Sequence, residues 1–271
     1  LAHEALAVYY DTGEDPVKYI NYTIDADVEA RPEQEKALEK ERELLVAMLS
    51  GYLEWLAETG ADADIRVTGT ERMVEVPMVA PGADFPEGLS LLSKLDAPVE
   101  RVSAGAKLAF EHKTVSSLER PLAVLKLDTQ FLTEHLARFM NELEQGATVE
   151  DALDSCHGIF LNMLRKVKRT ASAKPPFYGR EDVRHNVEEL RNHWRHVVSL
   201  ALDIQATRAR LDAGENHQTA AYPNPTHDCS WDCPFFAVCP MADDGSDFEG
   251  ALAALYEEGD PLSRYEQAQP L

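Results

Sequence analysis

A carboxylate and an ammonium lie two residues apart at the end of a predicted strand. The largely apolar segment 107–110 leads directly into Glu111 and Lys113, and side chains two apart in a strand point to the same face. Asp96 ends the preceding apolar run, and a tight turn at Gly105 would place it beside them. Carboxylate oxygens hold Mg²⁺ or Mn²⁺, and a lysine can act on the attacking water. The three residues therefore predict metal-dependent phosphodiester hydrolysis.

Cysteines near the end of the chain predict a second kind of site. Cys229, Cys233 and Cys239 are separated by three and five residues, and close thiols in an intracellular protein bind metals more often than they form disulfides. Zinc usually has Cys-x2-Cys pairs and a nearby fourth ligand, for which His227 is the candidate. The aromatic and proline neighbours favour an iron–sulfur cluster, with zinc or unmetallated thiols as alternatives. The remaining cysteine, Cys156, is predicted to lie in a helix core.

The spacing of apolar residues predicts helices at both ends of the chain and strands between them. Helical spacing after Pro32 continues until Gly60, which predicts a long amphipathic helix. An antiparallel run of strands follows, at Met73–Val79, Leu89–Val99 and Ala106–Thr114, separated at Gly82, Gly88 and Gly105. Further helices are predicted at Gln130–Glu144, after the Thr148 to Asp151 capping signal as far as about Arg169, and at Glu181–Leu211.

The length of 271 residues predicts one core with a smaller appended lobe. We place the boundary between residues 170 and 171, with a mixed α/β (α+β) core first and a helical, cysteine-bearing lobe after it. No apolar run approaches the ~20 residues that span a bilayer, so we expect a cytoplasmic protein that does not enter a membrane. The segment 1–10 has helical spacing but no initiator methionine or N-cap, so we expect an upstream segment.

Charge is distributed unevenly along the chain. The net charge of −22 argues against a surface that binds polyanions throughout. Between Arg165 and Arg210, however, basic residues outnumber acidic ones, which is typical of a phosphate-binding strip or, equally, of a solvated helix face. Aromatic residues at 177–178 and Trp194 lie in the same segment. They are candidates for stacking on single-stranded bases or for core packing.

The order of these residues resembles that of the PD-(D/E)XK superfamily, in particular its RecB-like branch of CRISPR-associated and phage-encoded exonucleases. That family has an early helical histidine, a first-strand acid, an aspartate ending a strand, Glu-x-Lys, a glutamine on the next helix and C-terminal cysteines. Across nearly the whole chain these match, in order, His3, Glu71, Asp96, Glu111-His112-Lys113, Gln130 and the three cysteines. Two positions depart from the pattern: Glu134 stands where a tyrosine is usual, and Ser93 where a glycine is.

The resemblance implies a restriction-endonuclease-like core sheet flanked by helices, and a role for each matched residue. The metal, Mg²⁺ or Mn²⁺, would be bound by His3, Asp96, Glu111 and the His112 carbonyl. Lys113 would serve the attacking water, and Gln130 would position the lysine or the DNA. Glu71 would be the first-strand acid, a role for which Glu75 competes.

The resemblance also implies a cluster and a function. Cys229, Cys233 and Cys239 would hold a 4Fe-4S cluster whose fourth ligand lies upstream of Leu1. The activity would be that of a DNA exonuclease acting on single strands or DNA ends in recombination or replication, with a helicase or recombination protein as a partner. One alternative is an adaptor subunit that keeps the nuclease fold without its chemistry. Another is an acidic DNA mimic, which leaves the order of the matched residues unexplained.

Overall fold

A computed structural model describes residues 1–79, 89–222, 224–230, 233–260 and 269–270. Contacts between Cα atoms divide the chain into two units, Leu1–Arg195 with Gln267–Leu271, and His196–Glu266. The division falls after residue 195 rather than at the predicted residue 170, because a further sheet strand and the start of a long helix belong to the first unit.

The first unit is a mixed α/β structure. Its helices are α1 (Ala2–Thr12), α2 (Pro16–Ala30), α3 (Glu35–Thr59), α4 (Glu119–Val124), α5 (Thr129–Glu144), α6 (Val149–Ser155) and the beginning of α7 (Val187–Asp212). Its strands are β1 (Ile65–Val67), β2 (Arg72–Pro77), β3 (Ser90–Leu95), β4 (Ala97–Arg101), β5 (Ala106–Val115), β6 (Ile159–Arg165), β7 (Tyr178–Val183) and β8 (Gln269–Pro270). The predicted α3 and α5 are confirmed, each within a few residues.

Five strands form the central sheet in the order β1-β4-β5-β6-β7. Neighbouring strands are antiparallel except β5 and β6, which are parallel and pair from Ala109 with Ile159 to Val115 with Arg165. A parallel pair needs a long crossover, and α4, α5 and α6 supply it. The crossover therefore places α5 against the sheet, close to the end of β5.

Asp96 lies at the junction between two sheets. β3 pairs with β2 in a smaller sheet of order β3-β2-β8, whereas β4, which starts one residue after Asp96, pairs with β5 in the central sheet. The carbonyl of Asp96 also accepts a 2.7 Å hydrogen bond from the Glu71 amide. Backbone bonds on both sides thus fix the position of the aspartate.

Helices cover both faces of the central sheet. On one face, α1, α2 and α3 pack around Leu6, Ile24, Leu49 and Tyr52, which are fully buried. On the other face, α5 and the smaller sheet pack with the central sheet around Phe131, Val76 and Leu161. Side chains alternate along β5, so that Phe110 and His112 face α1 while Ala109 and Glu111 face α5. The alternation therefore places Glu111 and Lys113 on the face toward α5 and the His112 side chain on the face toward α1.

The structure corrects three predicted elements. The helix predicted to run from the Thr148 cap to Arg169 is the short α6 followed by the buried strand β6. The helix predicted from Glu181 starts only at Val187, because Tyr178–Val183 is β7. The single strand predicted at Leu89–Val99 is two strands that separate at Asp96. The predicted separators Gly82 and Gly88 lie outside the described residues.

The second unit is made of helical segments. It contains the rest of α7, then α8 (His217–Ala220), a 3-10 turn at His227–Ser230, α9 (Met241–Asp244) and α10 (Phe248–Leu255). None of the helices in the described parts of the chain is long and apolar enough to cross a membrane.

Candidate functional site

A histidine from α1 meets Asp96 at the sheet junction. His3 Nδ1 lies 3.4 Å from Asp96 Oδ2, and the same oxygen accepts a 2.8 Å hydrogen bond from the backbone amide of His112. His3 is partly exposed, whereas Asp96 is mostly covered. The first helix, the junction and β5 therefore converge on one carboxylate, as predicted for His3 and Asp96.

Glu111, Lys113 and Gln130 form a second hydrogen-bonded group at the end of β5. Glu111 Oε1 accepts a 2.8 Å hydrogen bond from Gln130 Nε2 and lies 3.3 Å from Lys113 Nζ. Lys113 donates in turn to Gln130 Oε1, the oxygen of the side-chain amide. Gln130 stands in the first turn of α5, whose N-cap Asp128 accepts from the Gln130 amide. The amide side chain thereby links the carboxylate to the ammonium.

Glu134 belongs to this group and was missed as a site residue from the sequence. Its Oε1 accepts a 2.7 Å hydrogen bond from the same Gln130 Nε2. Its Oε2 is buried without a hydrogen-bond partner. Gln130 and Glu134 are four apart on α5, and this spacing puts side chains on one helix face. This spacing is the signal in the sequence that points to Glu134, although comparison with the family marks the position only as a departure from its tyrosine.

Burial and mutual repulsion perturb the carboxyl groups of the site. Burial, together with the charges of Asp96 and Glu134, raises the pKa of Glu111 to about 8. Burial also raises the pKa of Glu134 to about 7, although Gln130 and Lys113 oppose the rise. Burial works in the same direction on Asp96, but hydrogen bonding with His3 and the nearby imidazoles hold its pKa below its usual value. Asp96 is thus the carboxylate that stays ionised most readily.

The two histidines of the site are held in different states. Hydrogen bonding to Asp96 raises the pKa of His3 despite the opposing effect of burial. Complete burial lowers the pKa of His112 to about 4, so that its imidazole is neutral at physiological pH. The His112 ring stacks on Tyr10 at 5.6 Å between centroids, on the face opposite Glu111. The contact that His112 makes with Asp96 is through its backbone amide.

A buried arginine network supports the back of the site. Arg180 Nε donates to Asn162 Oδ1 at 3.1 Å, and Asn162 lies 2.9 Å from His112 Nδ1. Arg180 Nη2 also donates to Asp62 and to the hydroxyls of Tyr10 and Tyr52. The network ties β5, β6 and β7 to α1 and α3. It fixes the strand that carries Glu111 and the helix that carries His3.

The predicted role of Glu71 has no support in its side-chain contacts. The Glu71 carboxylate pairs with Lys94 at 2.9 Å, whereas its backbone amide is what reaches Asp96. Its φ of +44° is in the left-handed region, which is costly for a residue with a side chain. The structure thus places Glu71 as a backbone support of the junction. The competing candidate, Glu75, is exposed on β2.

The predicted basic strip is largely neutralised by neighbouring acids. Ion pairs join Lys168 to Glu43, Arg169 to Glu54, Arg184 to Asp182, Arg191 to Glu188 and Arg210 to Glu215. Arg180 and Tyr178 are buried, and Tyr178 donates to the Met48 carbonyl. Trp194 is half-buried and packs against the core around α5. Six of the eleven basic residues from Arg165 to Arg210 are therefore paired with acids, and Tyr178 is unavailable for stacking on bases.

Three of the four cysteines line one cavity in the second unit. Cys229, Cys233 and Cys239 surround a space of about 350 Å³, together with Phe236 and Asp243. The Thr226 amide donates to the Cys229 sulfur at 3.3 Å. All of these thiols are free. The side chain of His227 and the residues 231–232 lie outside what the structure describes.

Cys156 is separate from this group in its environment. It is buried in the first unit and donates to the Ala152 carbonyl at 2.9 Å. Burial raises the pKa of its thiol to about 11. The predicted burial of Cys156 is confirmed, but the residue follows the end of α6 rather than lying inside a helix.

The donor set at the sheet junction fits a divalent cation by charge. Within the described residues, no group of three or more His, Cys, Asp or Glu side chains is arranged to hold a metal ion. The junction nevertheless concentrates the carboxyls of Asp96, Glu111 and Glu134 beside one ammonium, and Glu134 Oε2 is unsatisfied. Burial and repulsion from Asp96 and Glu134 raise the pKa of Glu111, and a cation there would offset both effects.

Comparisons with protein-family models, curated proteins and solved structures found no match to this chain.

Proposed function

We propose that the protein is a metal-dependent DNA nuclease whose active site is the group His3, Asp96, Glu111, Lys113 and Gln130. One observation carries the proposal: residues from α1, the sheet junction, β5 and α5, far apart in sequence, lie within two linked hydrogen-bonded groups. The mixed sheet with helices on both faces is the arrangement expected of a restriction-endonuclease-like core. The spacing predicts Asp96, Glu111 and Lys113 from the sequence, and the family resemblance adds His3 and Gln130.

Each side chain has a defined task in phosphodiester hydrolysis. Mg²⁺ or Mn²⁺ bound by His3, Asp96, Glu111 and the His112 carbonyl would activate water and offset the charge of the transition state. Lys113 places an ammonium beside the Glu111 carboxylate, where it orients the attacking water and stabilises the negative charge that develops on the phosphate. The Gln130 side chain contacts both residues: its Oε1 accepts from Lys113 Nζ, and its Nε2 donates to Glu111.

The proposal extends to substrate, partners and compartment. The substrate is DNA, as single strands or ends, and the reaction serves recombination or replication in the cytoplasm, alongside a helicase or recombination protein. Cys229, Cys233 and Cys239 hold a 4Fe-4S cluster with a fourth ligand from outside these three. Their shared cavity and the amide that donates to the Cys229 sulfur support this assignment.

The nuclease proposal is tested with end-labelled single- and double-stranded DNA and Mn²⁺. We expect cleavage by the wild type and a loss of at least about a hundredfold in kcat for Lys113→Ala or Glu111→Gln. Lys107→Ala is the matched control, since Lys107 is an exposed lysine on the same strand whose side chain forms no ion pair or hydrogen bond with the described residues. Equal cleavage by Lys113→Ala and Lys107→Ala would exclude this site. DNA binding without hydrolysis by the wild type would favour the adaptor.

The cluster is tested by anaerobic purification, iron and sulfide analysis, and visible absorption from thiolate-to-iron charge transfer. We expect Cys233→Ser to lose both the iron and the colour, and Cys156→Ser, the control in the other unit, to keep them. Colourless wild-type protein with stoichiometric zinc would refute the assignment.

A further inference from the structure

A cavity of about 620 Å³ begins at the candidate active site and extends along α3. His3 and Thr114 line the end nearest the site, where His3 also contacts Asp96. Leu44, Leu45 and Met48 form an apolar floor. The volume is that of pockets which enclose most of a small ligand. The cavity is therefore large enough to enclose a short part of a polymer whose chain extends to His3.

The rim of this cavity is cationic in a chain whose net charge is −22. Lys40, Lys166 and Lys168 line it, with Glu41 as the acid among them. Lys168 is paired with Glu43. Within the described structure, Lys40 and Lys166 are exposed and have no ion-pair partner. Two lysines that form no ion pair with the described residues, next to an apolar floor, are a surface for a ligand with anionic and apolar parts.

From this geometry we infer that the cavity binds a single strand of nucleic acid, with Lys40 and Lys166 on its phosphates and bases against Leu44, Leu45 and Met48. The inference rests on the proposed nuclease function and names its substrate form. The unpaired bases of a single strand offer apolar faces, whereas in a duplex those faces are stacked inside and only phosphates and groove edges are presented. An apolar floor next to cations therefore selects the single strand.

The test is binding by fluorescence anisotropy, with the full chain in EDTA so that hydrolysis cannot occur. The probes are a labelled thymidine oligonucleotide of about twelve nucleotides, a duplex of equal length and the same oligonucleotide with abasic sites. We expect the single strand to bind more tightly than either of the others. Equal affinity for the abasic strand or for the duplex would overturn the inference.

A double variant tests the position of the strand. Lys40→Ala with Lys166→Ala should weaken single-strand binding roughly tenfold and reduce the slope of log affinity against log salt by about 0.7 per lysine. Lys107→Ala with Lys174→Ala removes the same charge from exposed lysines outside the cavity and should change affinity less than about twofold. An equal loss in both pairs would mean that overall charge, and not this cavity, binds the strand.

Kinetics separate failure of this inference from failure of the nuclease proposal. In the cavity variant, KM for single-stranded DNA should rise while kcat stays constant, because the catalytic group is intact. Hydrolysis by the cavity variant with an unchanged KM would support the nuclease proposal and refute single-strand binding in the cavity. If the cavity variant loses single-strand binding and the wild type does not hydrolyse DNA, the cavity inference is supported and the nuclease proposal is refuted.

Discussion

Replacing Glu134 by glutamine should stabilise the protein, and more so as the pH rises. The Glu134 carboxyl is buried, and one of its oxygens has no hydrogen-bond partner. Glutamine has the shape of the protonated acid and cannot ionise, so it keeps the acceptor for Gln130 without the buried charge. The variant removes a cost that the wild type incurs only when Glu134 is deprotonated.

The magnitude follows from the pKa. Burial raises the pKa of Glu134 from 4.5 to about 7, so the folded state holds a proton that the unfolded state has released. Stability therefore falls as pH rises from 4.5 to 7 and is level above that, with a total loss of about 3 kcal/mol. Between about pH 5.5 and about pH 8 the loss is about 2 kcal/mol. Ionisation of Glu111 near pH 8 adds to it in the same direction, because the two carboxylates repel.

The assay is urea denaturation of metal-free wild type and Glu134→Gln at these two pH values. The lower pH is chosen to stay above the pI of about 4.7. At the pI itself the protein has no net charge, which promotes precipitation. The quantity compared is the difference between the variants, because acidification changes the repulsion within the whole acidic chain. Glu75→Gln, on an exposed position of β2, is the control and should differ from the wild type by less than about 0.5 kcal/mol at both pH values.

A difference between wild type and Glu134→Gln that is independent of pH would refute the reasoning, since it would mean that Glu134 has an ordinary pKa. A variant less stable than the wild type at the higher pH would refute it more directly.

Other predictions concern the metal, the arginine network and one glycine. At about pH 8, Mn²⁺ at about a hundredfold excess over its Kd should raise the free energy of unfolding by about 3 kcal/mol, and the same Mn²⁺ concentration should give a smaller gain at lower pH, because the metal must displace a proton from Glu111; urea titration of Asp96→Asn should show no such gain, and an equal gain would contradict the ligand assignment. Arg180→Met should cost about 3–5 kcal/mol, because it leaves buried partners unpaired, while the exposed ion pair lost in Arg66→Met should cost under about 1 kcal/mol; similar losses by denaturation would argue against a buried network. Gly158→Ala should cost about 3 kcal/mol, since φ is +133° and a Cβ would lie 2.2 Å from the Val183 carbonyl oxygen; Gly105→Ala, with φ +62° and open space around it, should cost about 1 kcal/mol, and calorimetry showing equal shifts would refute the steric argument.

Local signals in the sequence were sufficient for the long elements. Pro32 and Gly60 bracket α3, whose end at Thr59 is followed by Gly60 in the left-handed conformation. The start of α5 follows Asp128, which accepts from the Gln130 amide as a helix cap does. These elements carry their own start and stop signals, so prediction required no knowledge of the tertiary fold.

The sequence does not identify β6 as a strand, because apolar and polar residues do not alternate along it. Ile159–Leu164 is buried on both faces of the central sheet, and such a run has the composition of a buried helix as well as of a strand. The helix predicted through this run is wrong, although Gly158 and the shortness of the run are features that a strand also shows. The capping signal at Thr148 was genuine but began only the short α6.

The sequence order brought His3, Asp96, Glu111, Lys113 and Gln130 together as candidates, but not the residues that control their charge. Glu134 acts through its burial beside Gln130, and Arg180 acts through partners distant in sequence, Asn162 among them. Such contacts depend on the packing of α5 and α3 against the sheet. A linear motif contains no information about which acidic side chain becomes buried when the chain folds.

The junction at Asp96 also constrains how this chain can vary. Leu95 pairs with Arg72 in one sheet and Ala97 pairs with Phe110 in the other, so the aspartate is the whole connection between them. An inserted or deleted residue has no loop here to absorb it and would turn one strand's inner face outward. Length changes during evolution should therefore accumulate outside 90–101, and a relative with a gap in this stretch should also have lost the aspartate's place beside His3.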